Sequence, residues 1–376
     1  MAGLRLGGPL FALGLYLVAD LVAAQACKRL LPWWEPSYFE RSYRVQSPEY
    51  HHGLAPNVSK QAYWGAEPYP YRTNSLGFRD AIPRAVEVHA RTDRVLLLGD
   101  SFTEGIGVPY RATFAGILDS VAAQRKSEVL NAAVSSYSPV IYYRKARYLM
   151  ERVGLEVDAI IVFLDVSDPY DEIHRHQLAP DGKVQSVETR SNSKDRAAHW
   201  LRYNSITGRA MTLALLAYEG RSTPPPHGLG QAPARWTYDA EAYRAWGARG
   251  LELAGRSMDS LAHLTRGHDV SLTLVIYPWP DQIVRRDVEN IQVRYWRDWA
   301  QRNGVPLVNL FPLFIGSRDP DSVLQRYFMP LDLHWTAAGH RLIADSLLRT
   351  EIGRLVRDGR SDVRTAEHQG KGGSIQ

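Results

Sequence analysis

The 376-residue chain reads as an α/β protein, a three-layer α/β/α sandwich around a parallel five-stranded sheet. Three observations lead there. Short apolar runs recur at 94–99, 129–134, 159–165, 271–277 and 306–310, with helical periodicity between them. Two of them, Ala159-Ile-Ile-Val-Phe-Leu164 and Leu272-Thr-Leu-Val-Ile-Tyr277, are apolar at nearly every position, as parallel strands buried on both faces are. Alternating strands and helices need crossover connections, and right-handed crossovers bring the loops after Gly99, Val134, Leu164, Tyr277 and Leu310 to one edge. This is a flavodoxin-like arrangement, in which ligands bind outside the carboxyl ends of the strands.

The N-terminal elements read as follows. Residues 9–27 are an apolar segment after Arg5 and before Lys28-Arg29, near the lower length limit for crossing a bilayer and placed where a signal peptide or signal anchor stands. Ala24-Gln25-Ala26 has the small-x-small form of a cleavage site, whereas Asp20 weighs against a spanning helix because a carboxylate at depth is expensive. An uncleaved anchor, a cleaved signal, a lipoprotein signal ending at Cys27 and a buried soluble helix all stay open, although Gln25 fits a lipoprotein signal poorly. Export to the periplasm or cell envelope is the expectation, with 9–27 as a potential tether to the inner membrane. Leu31-Pro-Trp-Trp-Glu-Pro36 suits an interfacial exit. Residues 31–93 form an extension packed on the main domain, and the Tyr, His, Pro and Gly of 43–80 predict short strands and loops. His51-His52 has no further Cys, His or carboxylate at metal-site spacing, so solvated loop histidines are expected, and no metal or cofactor. The single cysteine excludes an intrachain disulfide.

The main domain is expected over 94–350. Arg94-Val-Leu-Leu-Leu-Gly-Asp-Ser-Phe-Thr-Glu-Gly105 runs from a strand directly into Gly-Asp-Ser and then a helix, presenting the Ser101 hydroxyl at a strand's carboxyl end. Either Asp100 and Ser101 cap that helix, or Ser101 is a nucleophile beside free helix N–H groups. Between Pro169 and about Trp236 the strand rhythm lapses. There His174 to Asp195 is polar, Asn204 to Tyr218 is an apolar helix, and Ser222-Thr-Pro-Pro-Pro-His-Gly is a breaker. An insertion at about 170–236 reads as a lid or as a surface excursion. Tyr277-Pro-Trp-Pro280 leaves a strand, so Trp279 is either a sugar-stacking wall or core packing. Leu331-Asp-Leu-His-Trp335 precedes the helical pattern Arg341 to Leu348. A serine hydroxyl needs a base to take its proton, and the base needs a group to fix its tautomer; His334 and Asp332 are that pair. The tail 351–376, ending in Gly-Lys-Gly-Gly-Ser, is expected to be disordered.

Gly99-Asp-Ser-Phe102 followed far downstream by Asp332-Leu-His334 resembles the SGNH (GDSL-like) hydrolase and acyltransferase superfamily. The compact Asp-x-His, with Trp335 and Gly339-His340, looks most like its exported polysaccharide-modifying members. The resemblance spans roughly Arg94 to Leu348 and implies the SGNH hydrolase fold with a Ser101, His334, Asp332 triad. It also implies an oxyanion hole made by the Ser101 N–H, by Ser136 where the family has a glycine, and by Ser167 where the family has an asparagine. Loss of one such donor typically costs about 10²-fold to 10³-fold in turnover. Asn74 and Arg79 lie in a stretch that precedes the nucleophile strand in some exported relatives, and either reach the cleft or serve as structural residues.

A formal charge of +5, spread without a Lys/Arg block, gives no case for a nucleic-acid groove. The expected activity is a serine esterase or O-acyltransferase acting on a carbohydrate ester or other small acyl ester, most plausibly acetyl, outside the cytoplasm. A catalytically weak carbohydrate-binding or assembly protein on the same fold, and a lipid esterase, are the competing readings.

Overall fold

The computed structural model describes residues 7–31, 34, 40, 42–64, 67–90, 92–125, 127–187, 193–218, 226–316 and 318–357. The chain divides into two units, one of Met1–Ser42, Tyr63–Pro68 and Thr189–Pro224, the other of Tyr43–Ala62, Tyr69–Glu188 and Pro225–Gln376.

The larger unit is built on β5 (Arg94–Leu98), β6 (Glu128–Asn131), β7 (Ala159–Leu164), β10 (Ser271–Ile276) and β11 (Leu307–Asn309). They form one sheet in the order β11-β10-β7-β5-β6, all parallel, with Leu96 level with Leu130 and Ile160. All side chains of β5 and β7 are buried, which is why these runs lack polar alternation. The chain starts in the sheet at β5, steps out to β6, then returns across β5 to β7. That reversal opens a crevice at the carboxyl ends of β5 and β7, the topological switch point where open α/β sheets bind ligands. Right-handed crossovers put Phe114–Ala123 and Ala337–Leu347 together on one side, and Pro139–Arg147, Asp168–His174 and Ala248–Gly267 together on the other. This is the three-layer α/β/α sandwich expected.

The extension adds β1 (Arg44–Ser47) antiparallel to β2 (His51–Leu54), and a ribbon of β3 (Ser59–Trp64) with β4 (Glu67–Arg72). Arg79 bridges to Asn131 and so covers the free edge of β6. The polar stretch after His174 contains a hairpin, β8 (His176–Leu178) and β9 (Val184–Ser186).

Three expectations change. The insertion is not one block, because β8–β9 and the residues from Pro225 belong to the larger unit while Thr189–Pro224 groups with the N-terminal residues. The apolar helix expected over 204–218 is present as Ile206–Tyr218, but a further helix, Ser193–Asn204, precedes it and begins inside the stretch expected only to be polar. Ser205 separates the two by acting as an N-cap, its hydroxyl accepting from the Gly208 N–H at 2.7 Å. The expected disordered tail begins too early, since 351–357 is helical with Ile352, Leu355 and Val356 buried; 358–376 lies outside the described residues.

In the smaller unit the apolar segment forms the helix Gly7–Leu30, long and apolar enough to cross a membrane. The helices Ser193–Asn204 and Ile206–Tyr218 pack on it.

Candidate active site

β5 ends at Gly99, where a Cβ would lie 2.3 Å from Thr103 Oγ1; only glycine lets the strand pass under the turn that follows. Asp100 is the N-cap of Ser101–Glu104, accepting from the Phe102 N–H at 3.0 Å. The helix is a single turn, closed by Gly105 at φ 76°, so individual N–H groups rather than a long helix dipole face the crevice. Capping falls to Asp100, which leaves the Ser101 hydroxyl unused for it.

The second segment enters as a tight turn. Leu331 holds φ at 58°, a region costly for a side chain with a Cβ. Asp332 then accepts from the His334 N–H at 2.8 Å and from His334 Nδ1 at 2.6 Å. Thr336 caps the Ala337–Leu347 helix, fixing the other side of the turn. His334 Nε2 lies 2.8 Å from Ser101 Oγ. A carboxylate only accepts, so His334 Nδ1 carries the proton and its Nε2 lone pair receives the Ser101 O–H. Phe102 packs on the His334 ring, with centroids 4.8 Å apart, and Trp335 packs on Phe102 and Tyr277.

Neither the Ser101 nor the Ser136 N–H has an acceptor among the described residues. The Val134 N–H donates to Gly99 O at 3.3 Å, so the Ser135-Ser136 turn runs beside Ser101. Ser136 has φ 64°, the left-handed conformation that explains why glycine is the expected residue there. Surrounding bonds hold this strained turn. Glu104 Oε2 accepts from the Ser135 N–H at 2.6 Å, His52 Nε2 donates to Ser135 O at 2.9 Å, and His176 Nε2 donates to Ser136 O at 2.7 Å. Glu104 is in turn bonded by Arg44 and by the Tyr71 hydroxyl. Burial opposes its charge, but Arg44, Tyr71 and the Ser135 N–H together hold its carboxyl below the usual range.

His51 and His52 are therefore not the solvated loop histidines expected. His52 Nε2 must be protonated to donate to a carbonyl, so its Nδ1 accepts from His51 Nδ1 at 2.7 Å, and His51 Nε2 then accepts from the Ser186 hydroxyl at 2.8 Å. A chain of neutral rings thus runs from β9 to the Ser135 carbonyl. Burial drives His52 down to about 3 and His176 to about 4, so both stay neutral in ordinary buffers.

Other expected residues serve differently. Ser167 spends both its N–H and its hydroxyl on Asp165 Oδ1, at 2.7 and 2.6 Å, so its one hydroxyl proton is not aimed at an oxyanion. Trp279 is not a stacking wall: it is 4% exposed and donates Nε1 to Asp165 Oδ2 at 2.9 Å. Asn74 is buried, receives the Leu76 and Phe78 N–H groups and donates to Asp80, shaping its own turn. Arg79 does not reach substrate space either. Fully buried, it donates to the carbonyls of Glu104, Gly105 and Val108 and clamps the end of the Ser101–Glu104 turn. Both residues are structural because the extension folds over the Ser101–Glu104 turn rather than into the crevice.

Beneath the site lies a cluster of buried carboxyls. Asp100 and Asp165 share the Tyr277 hydroxyl at 3.2 and 2.8 Å. Burial and then the neighbouring Asp165 push Asp100 and Asp168 far above the usual carboxylate range. Glu104, Tyr71, His52 and His176 were not singled out as site residues by sequence. Glu104, three residues after Ser101 on the same helical face, is the one with a local signal. A cavity of about 500 Å³ around Arg84, Arg94 and Glu128 sits at the amino ends of β5 and β6, the wrong edge for this chemistry.

No family model matches the chain, and no curated protein matches it significantly. Solved structures similar to it include the acetylxylan esterase Axe2 from Geobacillus stearothermophilus, at 15% identity and TM-score 0.38, covering 71% of this chain and 97% of that one. A protein of the G-D-S-L lipolytic family from Desulfitobacterium hafniense is similar at 12% identity and TM-score 0.38, covering 69% and 99%. The esterase EstA from a Pseudoalteromonas species matches at 13% identity and TM-score 0.37, covering 70% and 98%. At such identities and scores nothing about the site carries over from them, and its chemistry rests on its own geometry.

Proposed function

We propose that the chain is an SGNH-type serine enzyme that cleaves or transfers an acyl ester outside the cytoplasm, with an acetylated polysaccharide as the substrate class. The observation that carries this reading is the continuous chain Ser101–His334–Asp332, with bonds of 2.8 and 2.6 Å, at the switch point of the sheet. In this reading Ser101 Oγ attacks the ester carbonyl as His334 Nε2 takes its proton, and Asp332 stabilises the imidazolium. The tetrahedral oxygen receives the N–H groups of Ser101 and Ser136. His334 then protonates the leaving alcohol, giving acyl-Ser101. Water or a sugar hydroxyl, deprotonated by His334, attacks the acyl group, releases acid or forms the new ester, and regenerates Ser101.

Glu104, His52 and His176 act as positioning residues. A trans peptide is planar, so fixing the Ser135 carbonyl fixes the Ser136 N–H on its opposite side. With Ser167 committed to Asp165, two backbone donors carry the oxyanion, a smaller set than the resemblance implies. The Gly7–Leu30 helix is read as a retained anchor: Gln25 bonds to Asn204 and Asp20 to Thr207, contacts that cleavage after Ala26 would remove.

The test is turnover of an activated acetyl ester by the full chain, beside Ser101→Ala and His334→Ala, with acetylated and unacetylated oligosaccharides added. Hydrolysis yields free acetate, transfer yields an acetylated acceptor, and fatty-acid release from lipid esters would favour a lipid esterase. Wild type no faster than Ser101→Ala on every ester would leave the carbohydrate-binding reading in place of the enzyme.

A further inference from the structure

The smaller unit exposes more apolar surface than its one long apolar helix accounts for. From Ala210 to Tyr218 the sequence Ala-Met-Thr-Leu-Ala-Leu-Leu-Ala-Tyr carries no charge. Met211 is 68% exposed, Leu213 39% and Leu215 58%, and Ala210 and Ala214 are exposed as well. At 3.6 residues per turn these five positions cover more than half of the helix circumference. A protein groove covers a stripe, whereas a helix that is apolar around most of its circumference suits lipid. On the neighbouring Gly7–Leu30 helix, Leu10, Phe11, Leu17 and Val18 are likewise exposed.

An independent observation fixes where this second helix begins. Asp20 Oδ1 accepts from the N–H and the hydroxyl of Thr207 at 3.0 and 2.9 Å, and Tyr16 is bonded to the same hydroxyl. Eight residues separate Asp20 from Lys28, about 12 Å of helix. If the first helix crosses a bilayer, Asp20 lies well inside the polar boundary and so does Thr207. The boundary itself is marked by Lys28 on Asn204, Trp34 Nε1 on Tyr203 O at 3.1 Å, and the Arg209 guanidinium 4.3 Å over the Trp34 ring. Aromatic and basic side chains collect at one level in this way at a membrane surface, with Arg209 reaching back from its helix toward that level.

We propose that the Ile206–Tyr218 helix is a second membrane element, inserted into lipid beside the N-terminal helix with its first turn satisfying Asp20. The inference rests on the reading of Gly7–Leu30 as a membrane anchor. It resolves the anomaly of a carboxylate in an anchor, because a helix N-terminus supplies donors at that depth. Thirteen residues span about 20 Å, less than a hydrocarbon core of roughly 30 Å, so the helix itself covers only part of the bilayer depth, beginning at the level of Asp20.

The test uses the full chain with Cys27→Ser and one introduced cysteine, at Met211, Leu215, Leu15 or Arg256, labelled with an environment-sensitive fluorophore in phosphatidylcholine/phosphatidylglycerol vesicles. Probes at 211 and 215 are expected to behave as the anchor probe at 15 does, blue-shifted, quenched by spin-labelled lipid and protected from iodide. The probe at 256, on an exposed salt-bridged surface, should show the opposite. Lipid quenching at 15 with iodide quenching at 211 and 215 overturns the inference and leaves the anchor intact. Protection at 211 and 215 from both quenchers means that protein covers the helix, which also overturns it. No lipid quenching at 15 defeats the anchor reading itself.

Discussion

Replacing His52 by leucine tests whether the histidine chain positions the oxyanion donor. The ring bonds to the Ser135 carbonyl at 2.9 Å and packs edge-on against Tyr137, so leucine keeps apolar bulk against Tyr137 and removes the donor. A net hydrogen bond of ~1 kcal/mol corresponds to about fivefold in rate if it is felt in the transition state. Complete loss of the Ser136 donor would set the ceiling, about 10²-fold to 10³-fold. The expected fall in kcat is therefore about 5-fold to 100-fold, with KM nearly unchanged because the donor acts on the tetrahedral oxygen rather than the bound ester. His52→Gln, whose amide can still donate to Ser135 O, should recover much of the loss. Because burial holds His52 to about 3, its removal should not move any limb of the pH–rate profile above about pH 4. The assay is steady-state hydrolysis of an activated acetyl ester from pH 4.5 to 9. An unchanged kcat for His52→Leu, a loss confined to KM, or equal losses for leucine and glutamine would refute the positioning argument.

Other substitutions probe the remaining parts of the site. Asp332→Asn should lower kcat by up to about 10⁴-fold while leaving the fold intact, since an amide can favour the wrong imidazole tautomer; near-normal turnover would remove Asp332 from the triad. Ser167→Ala should cost less than about tenfold, because its hydroxyl is held by Asp165; a loss of about 10²-fold in kcat would restore it as an oxyanion donor. Glu172 is buried and pushed up to about 7, mainly by desolvation, so the folded state binds a proton that the unfolded state releases between about pH 4.5 and 7. Stability from that proton is complete below pH 4.5 and is lost as pH rises toward 7. Glu172→Gln should therefore gain relative to wild type by up to about 3 kcal/mol across that window, read as a Tm difference that widens with pH; a constant difference would contradict the assignment.

What was legible in the sequence follows from how local each signal is. β5 and β7 could be placed because burial on both faces removes polar alternation, and the crossover rule then brought the loop after Gly99 to one edge with the others. Ser101, Asp332 and His334 stood out because each motif is contiguous and the topology closes the gap between them. The support around them was not visible. His52 and His176 are far apart in the chain, and only the packing of β2 against the β8–β9 hairpin beside the Ser135-Ser136 turn gives them a common task. Trp279 and Arg79 have side chains equally suited to a cleft or a core, and their burial beneath the crevice decided against substrate contact. The partner of Asp20 was not legible either, since Thr207 lies in an insertion whose pairing with the N-terminal helix no local pattern records.

The central claim is that Ser101 carries the acyl group. Its most direct measurement is mass spectrometry of the full chain, acid-quenched within the first turnovers on an activated acetyl ester and then digested. An acetyl increment of ~42 Da, from one ester bond formed on a hydroxyl, is expected on the peptide holding Ser101, absent in Ser101→Ala and strongly reduced in His334→Ala. Turnover with no adduct on Ser101, or an equal adduct on another residue that survives Ser101→Ala, would contradict it.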